Sequence, residues 1–208
     1  MQLTIFGGSG KTGKHLVEQS LAAGHAVKAL VRTPAKVSIQ HPQLSLIQGD
    51  VLDSLKVDEA IAGADAVLSV LGPANNKPDF IISRGMEHIL SAMRQHQVRR
   101  LIISAGAGVR DPQDKPKLID HFFGAVLKLV SGNVVADMQQ VVAKVRTSDR
   151  DWTVVRVPML TDQAPQGRYK VGYVGDIDPR LSRADMAAFM LQQVQETRYV
   201  RQAPAISN

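Results

Sequence analysis

A glycine run set between an apolar strand and an amphipathic helix constrains this chain more than any other stretch. Residues 3–17 read LTIFGGSGKTGKHLV, with Gly7, Gly10 and Gly13 three apart. That spacing suits a turn in which one glycine makes the tight bend, one lets the main chain approach a diphosphate, and one lets helix and strand pack closely. The helix that follows aims its free N–H groups and positive dipole end at the same place. Gly-Ser-Gly-Lys-Thr also suggests a nucleotide-triphosphate loop, but that motif needs a glycine five residues before Gly10. Ile5 stands there, inside the strand. Gly7, Gly8, Ser9, Gly10, Lys11, Thr12 and Gly13 are therefore candidate dinucleotide-binding residues.

The rest of the chain supplies the context that such a turn requires. A helix over about 11–23 is stopped by Gly24, and strands are expected at 25–31, 44–48, 66–71 and 101–104, with helices at 57–62 and 79–96. Ile82, Met86, Ile89, Leu90 and Met93 recur at helical spacing. Strands separated by helices imply parallel crossovers, hence an α/β, Rossmann-type doubly wound parallel sheet with its ligand crevice at the C-terminal strand ends. From Ala105 the rhythm breaks into a substrate-side insertion of about 105–133. Helical stretches are read at 117–130 and 134–147, separated by Ser131-Gly132-Asn133. A sixth strand at 152–157 follows, then a short strand around 169–174, a helix over 183–194 capped by Ser182, and a terminal tail. No linker divides the 208 residues, so one domain with a small C-terminal substrate-side region is expected.

Composition narrows the class. With 44% hydrophobic residues the chain has enough apolar content for a globular core. Zero cysteines remove disulfides and thiolate chemistry, and the first strand begins too early to leave room for a signal segment, so a cytoplasmic protein is expected. No apolar run reaches membrane-spanning length. The net charge of +6 raises nucleic acid, yet the cations are scattered and aromatics make up only 4%, too few to form stacking platforms. A basic surface equally suits a phosphorylated small molecule. The six histidines form no zinc-like spacing, so no metal site is expected. The chain is taken as a monomer or weak homodimer.

Arg32 closes the second strand, with Thr33 and Lys36 beside it and no acid. A carboxylate there would favour NAD(H), whereas a cation accommodates the 2′-phosphate of NADP(H). Arg32 and Lys36 also fit a solvated basic turn. Asp50 in Gly49-Asp50-Val51 suits either an adenine contact or a turn. Of the three tyrosines, none is followed four residues later by lysine, which disfavours alcohol or ketone chemistry through an activated tyrosine. Ser104 either orients a reacting ring or bonds to backbone. Phe122 and Phe123 are adjacent on a helix, so they diverge, and one could wall a substrate pocket. Arg156 within an apolar strand calls for a buried acidic partner.

The glycine turn, Val31-Arg32, Gly49-Asp50-Val51, Leu71-Gly72, Ser104 and Trp152-Thr153-Val154-Val155-Arg156-Val157-Pro158 together resemble the atypical short-chain dehydrogenase group with NAD(P)-binding, NmrA-like domains. Thr161-Asp162-Gln163, Gly167-Arg168-Tyr169 and Leu181-Ser182-Arg183-Ala184-Asp185-Met186 are similar to the biliverdin-IXβ reductase/flavin reductase family in particular. The resemblance implies hydride transfer from NADPH to a flavin, a bilin or a similar flat acceptor. It places the diphosphate on Gly7–Gly13, the ribose phosphate on Arg32 and Lys36, adenine on Asp50 and Val51, and the adjoining ribose on Leu71 and Gly72. The nicotinamide falls beside Ser104 and Pro158-Met159-Leu160. Met159 and Met138 stand where the reductase carries histidines. The alternative is a non-catalytic NADP(H)-sensing protein of the NmrA-like type.

Overall fold

The apolar runs read from the sequence become the central strands of one sheet, seen in a computed structural model that describes residues 1–73 and 75–208, over 118–128 as backbone only. The order along the chain is β1 (Gln2–Phe6), α1 (Lys11–Ala22), β2 (Ala26–Val31), β3 (Leu44–Gln48), α2 (Ser54–Ile61), β4 (Ala66–Ser69), α3 (Ile81–Gln95) and β5 (Arg100–Gly106). Then come α4 (Leu118–Thr147), β6 (Asp151–Val157), β7 (Met159–Thr161), β8 (Lys170–Gly172), β9 (Arg180–Ser182), α5 (Arg183–Gln192) and β10 (Ala205–Ser207). The eight-stranded sheet runs β3-β2-β1-β4-β5-β6-β10-β8, parallel except where β8 meets β10, and β7 pairs with β9 separately. Because β1 sends the chain one way to β2 and later the other way to β4, a crevice opens at their C-terminal ends.

Helices cover both faces. Leu16, Val17 and Leu21 of α1 pack with Phe189 and Met190 of α5 on one side. Met86, Ile89 and Met93 of α3 pack with Val57 of α2 and Val141 and Val145 of α4 on the other. Among the described residues no helix is long and apolar enough to cross a membrane.

Several expectations are corrected. The helix expected at 57–62 begins at Ser54, because the Asp53 carboxylate accepts from the N–H groups of Leu55 and Lys56. The break at 131–133 is a kink inside α4, where Ser131 leaves helical geometry (φ −135°, ψ 38°). The terminal tail includes a buried strand, β10, pairing with β6 through Ala205 and Arg156. Its three residues were too few to show a period in the sequence. Met159 and Leu160, expected only as part of the stretch after the sixth strand, form the short strand β7.

Candidate functional site

Two of the three fingerprint glycines have a distinct steric reason. Gly7 adopts φ +87°, and a Cβ there would lie 2.9 Å from the Val70 carbonyl oxygen. A Cβ on Gly13 would lie 2.0 Å from the Gly7 carbonyl oxygen, so only glycine lets α1 settle onto the turn. The Gly10 N–H donates to the Gly7 carbonyl at 3.0 Å, and Gly10 caps α1. No side chain caps this helix, and its first turn holds no acid. Among the described residues none accepts from the N–H groups of Lys11, Thr12 or Gly13. That cradle suits a diphosphate.

Two cavities meet over the turn. The smaller, of 220 Å³, takes its walls from Phe6, Ser9, Arg32, Gly49, Asp50 and Val51 on one side and from Lys77, Phe80 and Asp137 on the other. The larger, of 660 Å³, runs from Lys11, Thr12 and Gly13 past Ser104, Pro158 and Leu160 to Arg183 and Met186. Gly10, Val70, Leu71, Gly72 and Pro73 line both, so they form one groove along the sheet edge.

Within the smaller cavity Arg32 is exposed at the end of β2. Asp50 makes the expected turn and also lies on the cavity wall. Its Oδ1 accepts from the Leu52 N–H at 2.9 Å while the residue faces the cavity. Val51 is pinned from behind by α3: Gly85 packs so tightly that a Cβ would lie 2.5 Å from its Cγ2, and His88 Nδ1 donates to its carbonyl at 3.0 Å. Thr33 and Lys36 stay exposed in a single 3-10 turn and line neither cavity.

Ser104 faces the larger cavity, its Oγ at the long distance of 3.5 Å from the Ser69 carbonyl. Met159 is exposed and lines neither cavity, whereas Leu160 does, as strand alternation on β7 requires. The side chains of Phe122 and Phe123 lie outside the described residues. No tyrosine lines either cavity.

Three carboxylates that shape the groove were not singled out from the sequence. Asp137 on α4 is buried and accepts from the N–H groups of Ile82 (3.1 Å) and Ser83 (2.9 Å), capping α3 from 54 residues away, because Phe80 precedes that helix in a left-handed conformation without a side-chain cap. Asp114 is the acidic partner that Arg156 required: it accepts from Nη1 and Nη2 at 2.7 Å each, and from the N–H groups of Asp111 and Val174. Burial pushes its carboxyl up, but these hydrogen bonds prevail and hold it below the usual range. Asp162 binds Lys11 at 2.8 Å and Arg183 at 2.6 Å, and the Lys11 hydrogen bond chiefly lowers its pKa. Only the run Thr161-Asp162-Gln163 hinted at it.

Comparison with known proteins agrees with this geometry. Residues 7–197 match the model of a family described as NAD(P)H-binding. The uncharacterized protein YwnB of Bacillus subtilis (strain 168) is 27% identical over 208 residues, covering 94% of this chain and 92% of that protein. A dihydroflavonol 4-reductase of Hordeum vulgare is 30% identical over 132 residues, but these span only 37% of that enzyme and 55% of this chain. Among solved structures, the oxidoreductase ylbE from Lactococcus lactis superposes with a TM-score of 0.85 at 16% identity, covering 100% of this chain and 91% of that one. A short-chain dehydrogenase/reductase from Veillonella parvula DSM 2008 in complex with NADP gives 0.83 at 19%, covering 100% and 94%. At such identities the likeness is one of fold.

Proposed function

This chain belongs to the NAD(P)H-binding family, and from that premise we propose that it is an NADPH-dependent reductase passing hydride directly to a flat conjugated acceptor such as a flavin or bilin. The observation that carries this reading is the continuous groove, polar with Arg32 at one end and largely apolar with Ser104 at the other, joined over a glycine cradle. In this reading the Gly7–Gly13 turn holds the diphosphate and Arg32 the 2′-phosphate. Asp50 and Val51 face adenine, Leu71 and Gly72 the adjoining ribose, and Ser104, Pro158 and Leu160 the nicotinamide end.

The bound cofactor would supply a hydride, so that acceptor, NADPH and one proton give reduced acceptor and NADP⁺. The protein's part is alignment and exclusion of water from an apolar wall. Among the described residues Lys11 and Arg183 are the only charged side chains on the larger cavity, and in this reading the proton comes from solvent. The absence of a tyrosine there supports an acceptor that needs no positioned acid. The names of the relatives support a redox role, and the acceptor class rests on the groove.

Steady-state NADPH oxidation with and without FMN, riboflavin, biliverdin or a quinone tests the proposal. A rate clearly above the acceptor-free background with at least one of them is expected. Equal rates with and without all four would overturn it.

A further inference from the structure

Arg100, Arg150 and Arg156, buried or half-buried, have a partner for every guanidinium nitrogen. Arg156, with no exposed surface, gives Nε to the Ala203 carbonyl, Nη1 to the Val109 carbonyl and Asp114, and Nη2 to Asp114. Burial lowers the Arg100 pKa to about 10, a measure of how unfavourable these surroundings are for a charge.

Arg183 departs from this pattern. Its side chain is only 19% exposed, yet among the described residues it has one partner, Asp162, through Nη1. Nε and Nη2 are left over, carrying three N–H groups. Neither nitrogen is among the buried atoms left without a partner, so both are open to an acceptor that enters the groove. The residue lines the larger cavity beside Leu160 and Met186, and among the described residues no acidic side chain lines that cavity. Asp162 does not neutralise the site, because it is shared with Lys11. Lys11 stands in the first turn of α1, at the glycine turn, and Arg183 begins the neighbouring α5, tied to Lys11 through Asp162.

We infer that Arg183 is an anion anchor for the acceptor: a ring lies on the apolar wall while a phosphate or carboxylate on its side chain accepts from Nε and Nη2. Such planar, charge-assisted contacts suit guanidinium better than ammonium. The inference deepens the reductase reading and rests on it, by naming the acceptor as flat at one end and an oxyanion at the other.

Two pairs of probes isolate the oxyanion. FMN and riboflavin share one ring system and differ in the phosphate; biliverdin and its dimethyl ester differ in the carboxylates. Binding is read by flavin fluorescence quenching and bilin absorbance, with and without saturating NADP⁺, so that it does not depend on turnover. The wild type is expected to prefer the anionic member of at least one pair by about tenfold. Arg183→Gln should bring that ratio close to one, and Arg183→Lys should restore part of it. The pair that responds identifies phosphate or carboxylate. Ratios near one in the wild type, or unchanged by Arg183→Gln, would overturn the inference. So would a loss in Arg183→Gln confined to NADPH binding, which would assign the residue to the cofactor. Failure to oxidise NADPH would count against the reductase reading and leave the ratios to decide the anchor.

Discussion

The two ends of the groove are built by different means. At the glycine-turn end seven consecutive residues set the shape, and main-chain contacts enforce it: Gly7 lies against Val70, and Gly13 lies against Gly7. At the other end, the one proposed to take the acceptor, the walls come from β5, β6, β7, α4 and α5. Long-range carboxylates hold them, Asp114 receiving four hydrogen bonds and Asp162 bridging α1 to α5. A steric cradle tolerates no intermediate state. Side-chain ties can be retuned one at a time, so this fold can keep its cofactor end while its acceptor end changes.

Substitutions can break that contrast, beginning with the largest expected effect. Asp114→Asn strands the buried Arg156 guanidinium and is expected to cost roughly 3–5 kcal/mol, read as a fall in urea midpoint at neutral pH. The sign of its pH dependence follows from the lowered pKa. The wild-type contribution is fully present above the ordinary value of 3.8 and is lost as pH falls through the folded value. The variant should therefore lose less stability than the wild type on acidification below about pH 4. Gly13→Ala, whose Cβ would meet main chain at 2.0 Å, should cost about 3 kcal/mol and abolish detectable NADPH binding. Gly72→Ala, with nothing within 4 Å of its Cβ, should be tolerated. If Gly13→Ala bound NADPH normally, the cradle would be more compliant than the contacts require. Asp137→Asn replaces one of two acceptors at the start of α3 and should lower stability by about 1 kcal/mol, measured as a fall in Tm. Lys36→Ala, exposed and away from the groove, should change NADPH affinity by no more than about twofold.

The same contrast explains what was legible in the sequence. Leu3–Phe6, the three spaced glycines and Val31-Arg32 are local signals, and they marked the strand order's switch point and the glycine-turn end of the groove. The Arg156 requirement for an acid was legible as a charge in an apolar run, but Asp114 was not, since 42 residues separate the two. Asp137 capping α3 was invisible for the same reason. Strand β10 was missed because three residues acquire their burial only from β6 and β8 on either side.

The central claim is that one end of the groove takes the phosphate-bearing half of NADPH through Arg32. Calorimetric titration of NADPH and NADH into the wild type and Arg32→Ala tests it most directly. The account predicts that the variant loses about thirtyfold, or roughly 2 kcal/mol, for NADPH, with a much smaller change for NADH. Equal losses for both cofactors, or no loss for either, would contradict it.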